Sequence, residues 1–125
     1  TYKLKNIFFN NLNNEKEIKN KLMSSDIYLC TSKNESSPMS IWEAMSCHLP
    51  VLSTNIGDLD IYNTKYNFGF IIKNETVDNF KNCILYLYKK KYMRVKFGNK
   101  SAICAINEFD IKKTCKILEQ KLIKL

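Results

Sequence analysis

Two carboxylates, Glu35 and Glu43, stand eight positions apart in the first half of this 125-residue chain. A carboxylate accepts two hydrogen bonds side by side, which suits the vicinal diol of a ribose or a hexose. The surrounding stretch reads as strand, loop, helix, strand and loop. Residues 27–30 form a short apolar run of the kind that a strand buried on both faces needs. Residues 31–37 are almost all polar and read as a loop. Ser37 is a candidate N-cap, and Pro38 stands where a helix accepts proline, in its first turn. A short helix over 39–47 follows, with Ile41, Met45 and Trp42 as its apolar stripe. Residues 49–54 are a second apolar run, which makes the unit a parallel β-α-β crossover.

This order places Glu35 just past the carboxyl end of a strand, where open parallel sheets hold their ligands. Glu43 falls in the second turn of the helix, with its side chain leaning back towards the helix start. The expectation is that Glu43 is partly buried and that both acids line one crevice. That crevice would open beside the unpaired N–H groups of the first helical turn, which attract an anion such as phosphate. The combination predicts a site for a phosphate flanked by sugar hydroxyls.

The segment Glu35-Ser-Ser-Pro-Met-Ser-Ile-Trp-Glu-Ala-Met-Ser-Cys-His-Leu-Pro-Val-Leu-Ser-Thr resembles the donor-site segment of the retaining nucleotide-sugar glycosyltransferases of family four, group 1. There the pattern runs E-G-x-P-x-x-x-x-E-A-M-A-x-G-x-P-V-V-A-T. Two acids at this spacing are a weak signal alone; Ser32, Glu43-Ala44-Met45, Pro50-Val51, Thr54 and Gly57 in register make it strong. The resemblance covers nearly the whole chain. It implies the later part of the C-terminal donor domain of the two-Rossmann-domain (GT-B) fold, with a separate N-terminal acceptor domain. Glu43 would hold the ribose hydroxyls and Glu35, as catalytic residue, the hydroxyls of the transferred sugar. Ser37, Met39, Ser40 and Gly57 complete the implied donor-binding set. The N–H groups of Met39 and Ser40 would meet the diphosphate, and Gly57 would let the backbone approach the ligand. The implied donor is a UDP- or GDP-sugar, and the implied acceptor a glycan or a lipid-linked sugar. No metal and no cofactor beyond the donor is implied. No stretch matches the family's basic residues for the diphosphate, so this chain alone is expected not to transfer sugar. The competing reading is a non-catalytic remnant with weak or no nucleotide binding, supported by Ser36-Ser37 where the family has flexible glycine.

Hydrophobic residues make up 45% of the chain, which excludes a disordered tail, and its length bounds it to a single domain over 1–125. No apolar run approaches the ~20 residues of a membrane span. Residues 1–75 hold eight lysines and eight acids; residues 76–125 hold eleven lysines and one arginine against four acids, a surplus of eight. That basic half reads as solvated helix faces, or as a peripheral contact with an anionic membrane. It lacks the interleaved aromatics of a nucleic-acid binder. The five cysteines show no metal spacing and read as buried free thiols in a reducing cytoplasm.

The predicted fold is α/β: a three-layer α/β/α Rossmann-like domain with a short, mainly parallel sheet and C-terminal helices. Strands are expected near 6–9, 27–30, 50–53 and 70–72, with a helix over 15–23. His48 takes the place of a family glycine past a helix end, where a left-handed conformation is expected. Asp58 is expected to cap a helical turn over 59–62, with contact to the ligand as the lesser alternative. A helix starting at Thr76 or Asp78 would bury Val77, Phe80, Ile84, Leu87 and Tyr88. The next, over 91–107, would bury Met93, Phe97, Ile103 and Ile106. The last, capped by Asp110, would bury Ile111, Cys115, Leu118, Leu122 and Leu125.

Overall fold

Three parallel strands carry the fold in the computed structural model, which describes residues 11–123. They are β1 (Tyr28–Cys30), β2 (Val51–Thr54) and β3 (Gly69–Ile72), in the spatial order β1-β2-β3. Tyr28 lies opposite Val51 and Cys30 opposite Ser53; Val51 in turn lies opposite Gly69 and Thr54 opposite Ile72. β2 is central and all four of its residues are buried, as a parallel strand covered on both faces requires. The strand expected over 6–9 lies outside the described residues.

Six helices complete the described chain: α1 (Glu15–Met23), α2 (Met39–Ser46), α3 (Leu59–Tyr66), α4 (Val77–Lys89), α5 (Lys91–Phe109) and α6 (Ile111–Leu122). Their starts follow from local polar chemistry. Asn14 accepts from the Glu17 N–H at 2.9 Å while the Glu17 carboxylate accepts from the Asn13 N–H at 3.0 Å. Thr76 caps α4 through the Asn79 N–H, and Asp110 caps α6 through the Lys112 N–H. Asp58 occupies the N-cap position of α3 but makes no side-chain cap bond, against expectation. α3 also runs a turn further than 59–62, to a left-handed Asn67.

Strand alternation turns Tyr28, Cys30, Val51 and Ser53 to the face covered by α2 and α3. There Ile41, Trp42, Met45, Val51, Ile56, Leu59 and Phe68 form the core. On the opposite face Phe70 meets Tyr86 of α4 and Phe97 of α5, ring edges to faces. α5 crosses the amino ends of the strands. A Cβ on Gly98 would lie 2.1 Å from the His48 carbonyl oxygen, and the Ser101 hydroxyl donates to the Phe68 carbonyl at 3.4 Å.

That crossing overturns the expected apolar face of α5 at Ile103 and Ile106, while Phe97 is buried as expected. The helix buries Phe97, Gly98, Ser101, Ala102, Cys104 and Ala105, while Ile103 and Ile106 face solvent. Close backbone approach needs small residues, and the large aliphatics are excluded by size. In α4 only Leu87 is fully buried; Val77 and Tyr88 are exposed, since α4 lies over one flank of a narrow sheet. The stripe of α6 is likewise uncovered: Ile111 (74% exposed), Cys115 and Leu118 lie open, because α6 leaves the body of the fold at Asp110. Of the cysteines, Cys30 and Cys104 are buried, Cys47 and Cys83 half-buried, and all five are free thiols. Burial pushes the Cys104 thiol up to about 12.

Candidate functional site

The site forms where the exit loops of β1 and β2 meet. The Thr54 hydroxyl, at the end of β2, donates to the Ser32 carbonyl at 2.5 Å and ties the two loops together. Beyond that tie, Lys33, Asn34, Glu35 and Ser36 form one wall of an open cavity of about 390 Å³. Asn55, Ile56 and Gly57 form the other wall. Gly57 has φ +52°, and a Cβ there would come within 3.2 Å of the Ser36 carbonyl oxygen. Glycine is therefore what lets the second loop lie against the first. Glu35 and Gly57 are brought together as the sequence suggests, and Glu35 is exposed to the cavity.

The helix that follows starts at Met39 as expected, but its cap differs. Pro38, not Ser37, is the N-cap of α2, and no side chain caps it. The reason is the Pro38 carbonyl, which accepts from the Ile41 and Trp42 N–H groups at 2.9 and 3.4 Å. Pro38 has no N–H to place inside the helix, so its carbonyl opens the ladder. Ser37 is exposed and does not line the cavity. The N–H groups of Met39 and Ser40 find no acceptor among the described residues. They are the orphan donors of a helix N-terminus.

Glu43 departs from expectation. It is exposed, and it lines a groove of about 450 Å³ between α1 and α2 with Glu15, Ile18, Lys19, Leu22, Ser46 and Cys47. The rotation of α2 is the cause. Ile41, Trp42, Ala44 and Met45 are all buried, and Trp42 stacks on Phe109 with ring centroids 3.7 Å apart. With those four turned inward, 100° per residue leaves Glu43 on the outer flank. The two acids thus line separate concavities, Glu35 between the exit loops and Glu43 along α1 and α2.

Tyr28 connects them. It is half-buried on the α2 face of β1, packed against the core. Burial pushes the Tyr28 phenol above its usual value, a polar contact with the Ser40 hydroxyl opposes this, and the carboxylates of Glu43 and Glu35 both add to the rise. Sequence reasoning passed over Tyr28 as one apolar residue of a strand. It also passed over Lys33 and Asn55, although Lys33 is only two positions before Glu35 in the same loop.

His48 adopts the left-handed conformation expected of it, with φ 60°. Its Nδ1 lies 3.3 Å from the Asn99 Oδ1, and it lines a small cavity with Arg94 at the opposite end of the sheet from Glu35. No cluster of His, Cys, Asp and Glu with metal-binding geometry occurs among the described residues. Among the described residues, too, no helix is long and apolar enough to cross a membrane.

The family model of the glycosyl transferases group 1 matches residues 2–102. No curated protein and no solved structure matches the chain. With the parallel sheet, the β-α-β unit around Glu35 and Glu43, and a match over most of its length, the chain belongs to the group 1 glycosyltransferases.

Proposed function

We propose that the chain binds a nucleotide-diphosphate sugar and presents its sugar for transfer with retention of configuration. The observation that carries this reading is the meeting of the β1 and β2 exit loops beside the α2 N-terminus. Ser36, on the wall of the Glu35 cavity, stands three and four residues before Met39 and Ser40, whose N–H groups find no acceptor among the described residues. Those donors suit a diphosphate, and the partial positive charge of the helix end favours it. On one side, Glu35, Asn34 and Asn55 offer acceptors and donors to the hydroxyls of a hexose, as in a hexosyltransferase. On the other side, Glu43 in the α1–α2 groove offers two oxygens to a ribose diol. A hexose and a ribose flank the diphosphate in such a donor, and the two acids stand in two separate concavities.

The nucleobase would be uracil or guanine. The acceptor, a glycan or a lipid-linked sugar, would be held by a second Rossmann-like domain of this architecture. The lysine-rich helices α4 to α6 would lie towards an anionic membrane on its cytoplasmic side.

The test is a heteronuclear NMR titration of the chain with UDP and with GDP up to millimolar concentration. Shifts should concentrate at Glu35, Ser36, Met39, Ser40 and Gly57, with a second group around Glu43. Absence of shifts with both nucleotides, or shifts confined to α4–α6, would overturn the reading.

A further inference from the structure

Lys33 and Glu35 share the cavity between the two exit loops, and neither forms an ion pair among the described residues. The rest of the lining carries no net charge: two carboxamides, a hydroxyl, an isoleucine and the Gly57 backbone. A diphosphate entering beside Glu35 meets like-charge repulsion. The Met39 and Ser40 amides offset only part of it, since a helix N-terminus is worth about half an elementary charge. A full positive charge is needed at the cavity, and Lys33 is the residue there that carries one.

The backbone below Lys33 is also held in place. Ser32, its immediate neighbour, is the residue whose carbonyl accepts from Thr54. The loop root is therefore fixed while the four-carbon stem leaves the ammonium free to follow the ligand. On the reading of this site as a donor site, we propose that Lys33 is a substrate-binding residue that holds the diphosphate of the donor and offsets the charge of Glu35. The positive charge for the diphosphate then comes from the same loop as the sugar-binding acid.

The test compares wild type, Lys33→Met and Lys33→Arg by NMR titration with UDP, GDP, uridine and guanosine, at low and at high salt. Lys33→Met should weaken the better diphosphate about threefold to tenfold at low salt, the range of a charge-assisted contact in a partly solvated site. The loss should shrink at high salt, Lys33→Arg should retain most of the affinity, and the bare nucleoside should bind wild type and Lys33→Met equally. Diphosphate binding by wild type with no loss in Lys33→Met would remove the Lys33 assignment and leave the donor site standing. An equal loss for the bare nucleoside would also remove it, since that points to a structural role. If wild type binds neither diphosphate, the donor-site reading itself fails, and the Lys33 assignment with it.

Discussion

The Thr54 hydroxyl reaches across from the end of β2 to the Ser32 carbonyl at the end of β1, at 2.5 Å. Thr54 is fully buried, whereas the loop it holds, residues 33–37, is exposed throughout. One core side chain thus positions the loop that carries Lys33 and Glu35.

Thr54→Val keeps the shape and removes the donor. The Ser32 carbonyl then loses its partner, at a cost of about 1–2 kcal/mol. Chemical denaturation should show that drop, and amide exchange at residues 33–36 should speed up. Unchanged stability and exchange would show that the loop holds itself.

Gly98→Ala tests the crossing of α5. In an open helix the change stabilises by about 0.5–1 kcal/mol. Here the added Cβ would sit 2.1 Å from the His48 carbonyl oxygen. His48 cannot yield easily, because it is already left-handed at φ 60°. The helix must shift, and a loss of about 1–3 kcal/mol is expected in urea denaturation. A stabilised variant would mean that the approach is looser than it stands.

The Glu108 carboxylate accepts from Lys65 Nζ at 2.6 Å and from the Tyr66 hydroxyl at 2.5 Å. Its hydrogen bond from Lys65, then that from Tyr66, hold it below the usual carboxylate value, while Lys65 is raised, chiefly by the same bond. A depressed carboxylate stabilises the fold above its unfolded value and loses that contribution as pH falls through the folded one. A raised lysine stabilises below its unfolded value and loses the contribution as pH rises through its folded one. The link therefore works across neutral pH and fails at both extremes. Glu108→Gln should lower the thermal midpoint at pH 7 and match wild type in acid, below the carboxylate range. A difference that persists unchanged in acid would assign the effect to packing.

The three described strands, the α2 segment and the starts of α1 and α6 were legible because they rest on local signals. Apolar runs at 27–30 and 49–54, Asn14 before Glu15 and Asp110 before Ile111 each act within a few residues. What was not legible depends on distant partners. The buried face of α5 is chosen by the closeness of His48 and Phe68, which favours Gly98 and Ser101 over Ile103 and Ile106. A period of 3.6 ranks residues by apolarity and has no term for the gap a neighbour leaves. The exposed stripe of α6 has the same cause, since periodicity shows that a face is apolar and not that anything in this fold covers it. At the site, strand order placed Glu35 past the end of β1, and the resemblance added Gly57 to the same set. Glu43 was expected to share the crevice of Glu35, yet the stripe of Ile41, Trp42 and Met45 read from the sequence already turns it to the outer flank, and the stacking of Trp42 on Phe109 holds that rotation.

That rotation bears on the last prediction. Glu35 and Glu43 lie in separate concavities, so their removal should affect different parts of a donor. Glu43→Gln keeps size and exposure but takes away the charge that strengthens bonds to a ribose diol. A hydrogen bond to a charged group is worth about 1.5–3 kcal/mol, and partial solvation places an exposed acid at the low end. Affinity for the better of UDP and GDP should therefore fall by about one order of magnitude. Glu35→Gln touches the sugar side and removes the charge that repels the diphosphate, so it should leave UDP or GDP affinity at the wild-type level or above it. It should instead reduce the preference among UDP- or GDP-linked hexoses, and turnover wherever transfer is assayed in a protein containing this domain. Calorimetry or NMR titration of the two variants with nucleotide and with nucleotide-sugar reads both effects. Loss of bare-nucleotide affinity in Glu35→Gln but not in Glu43→Gln would reverse the assignment of the two concavities, and no loss in either would leave both acids as solvated surface charges.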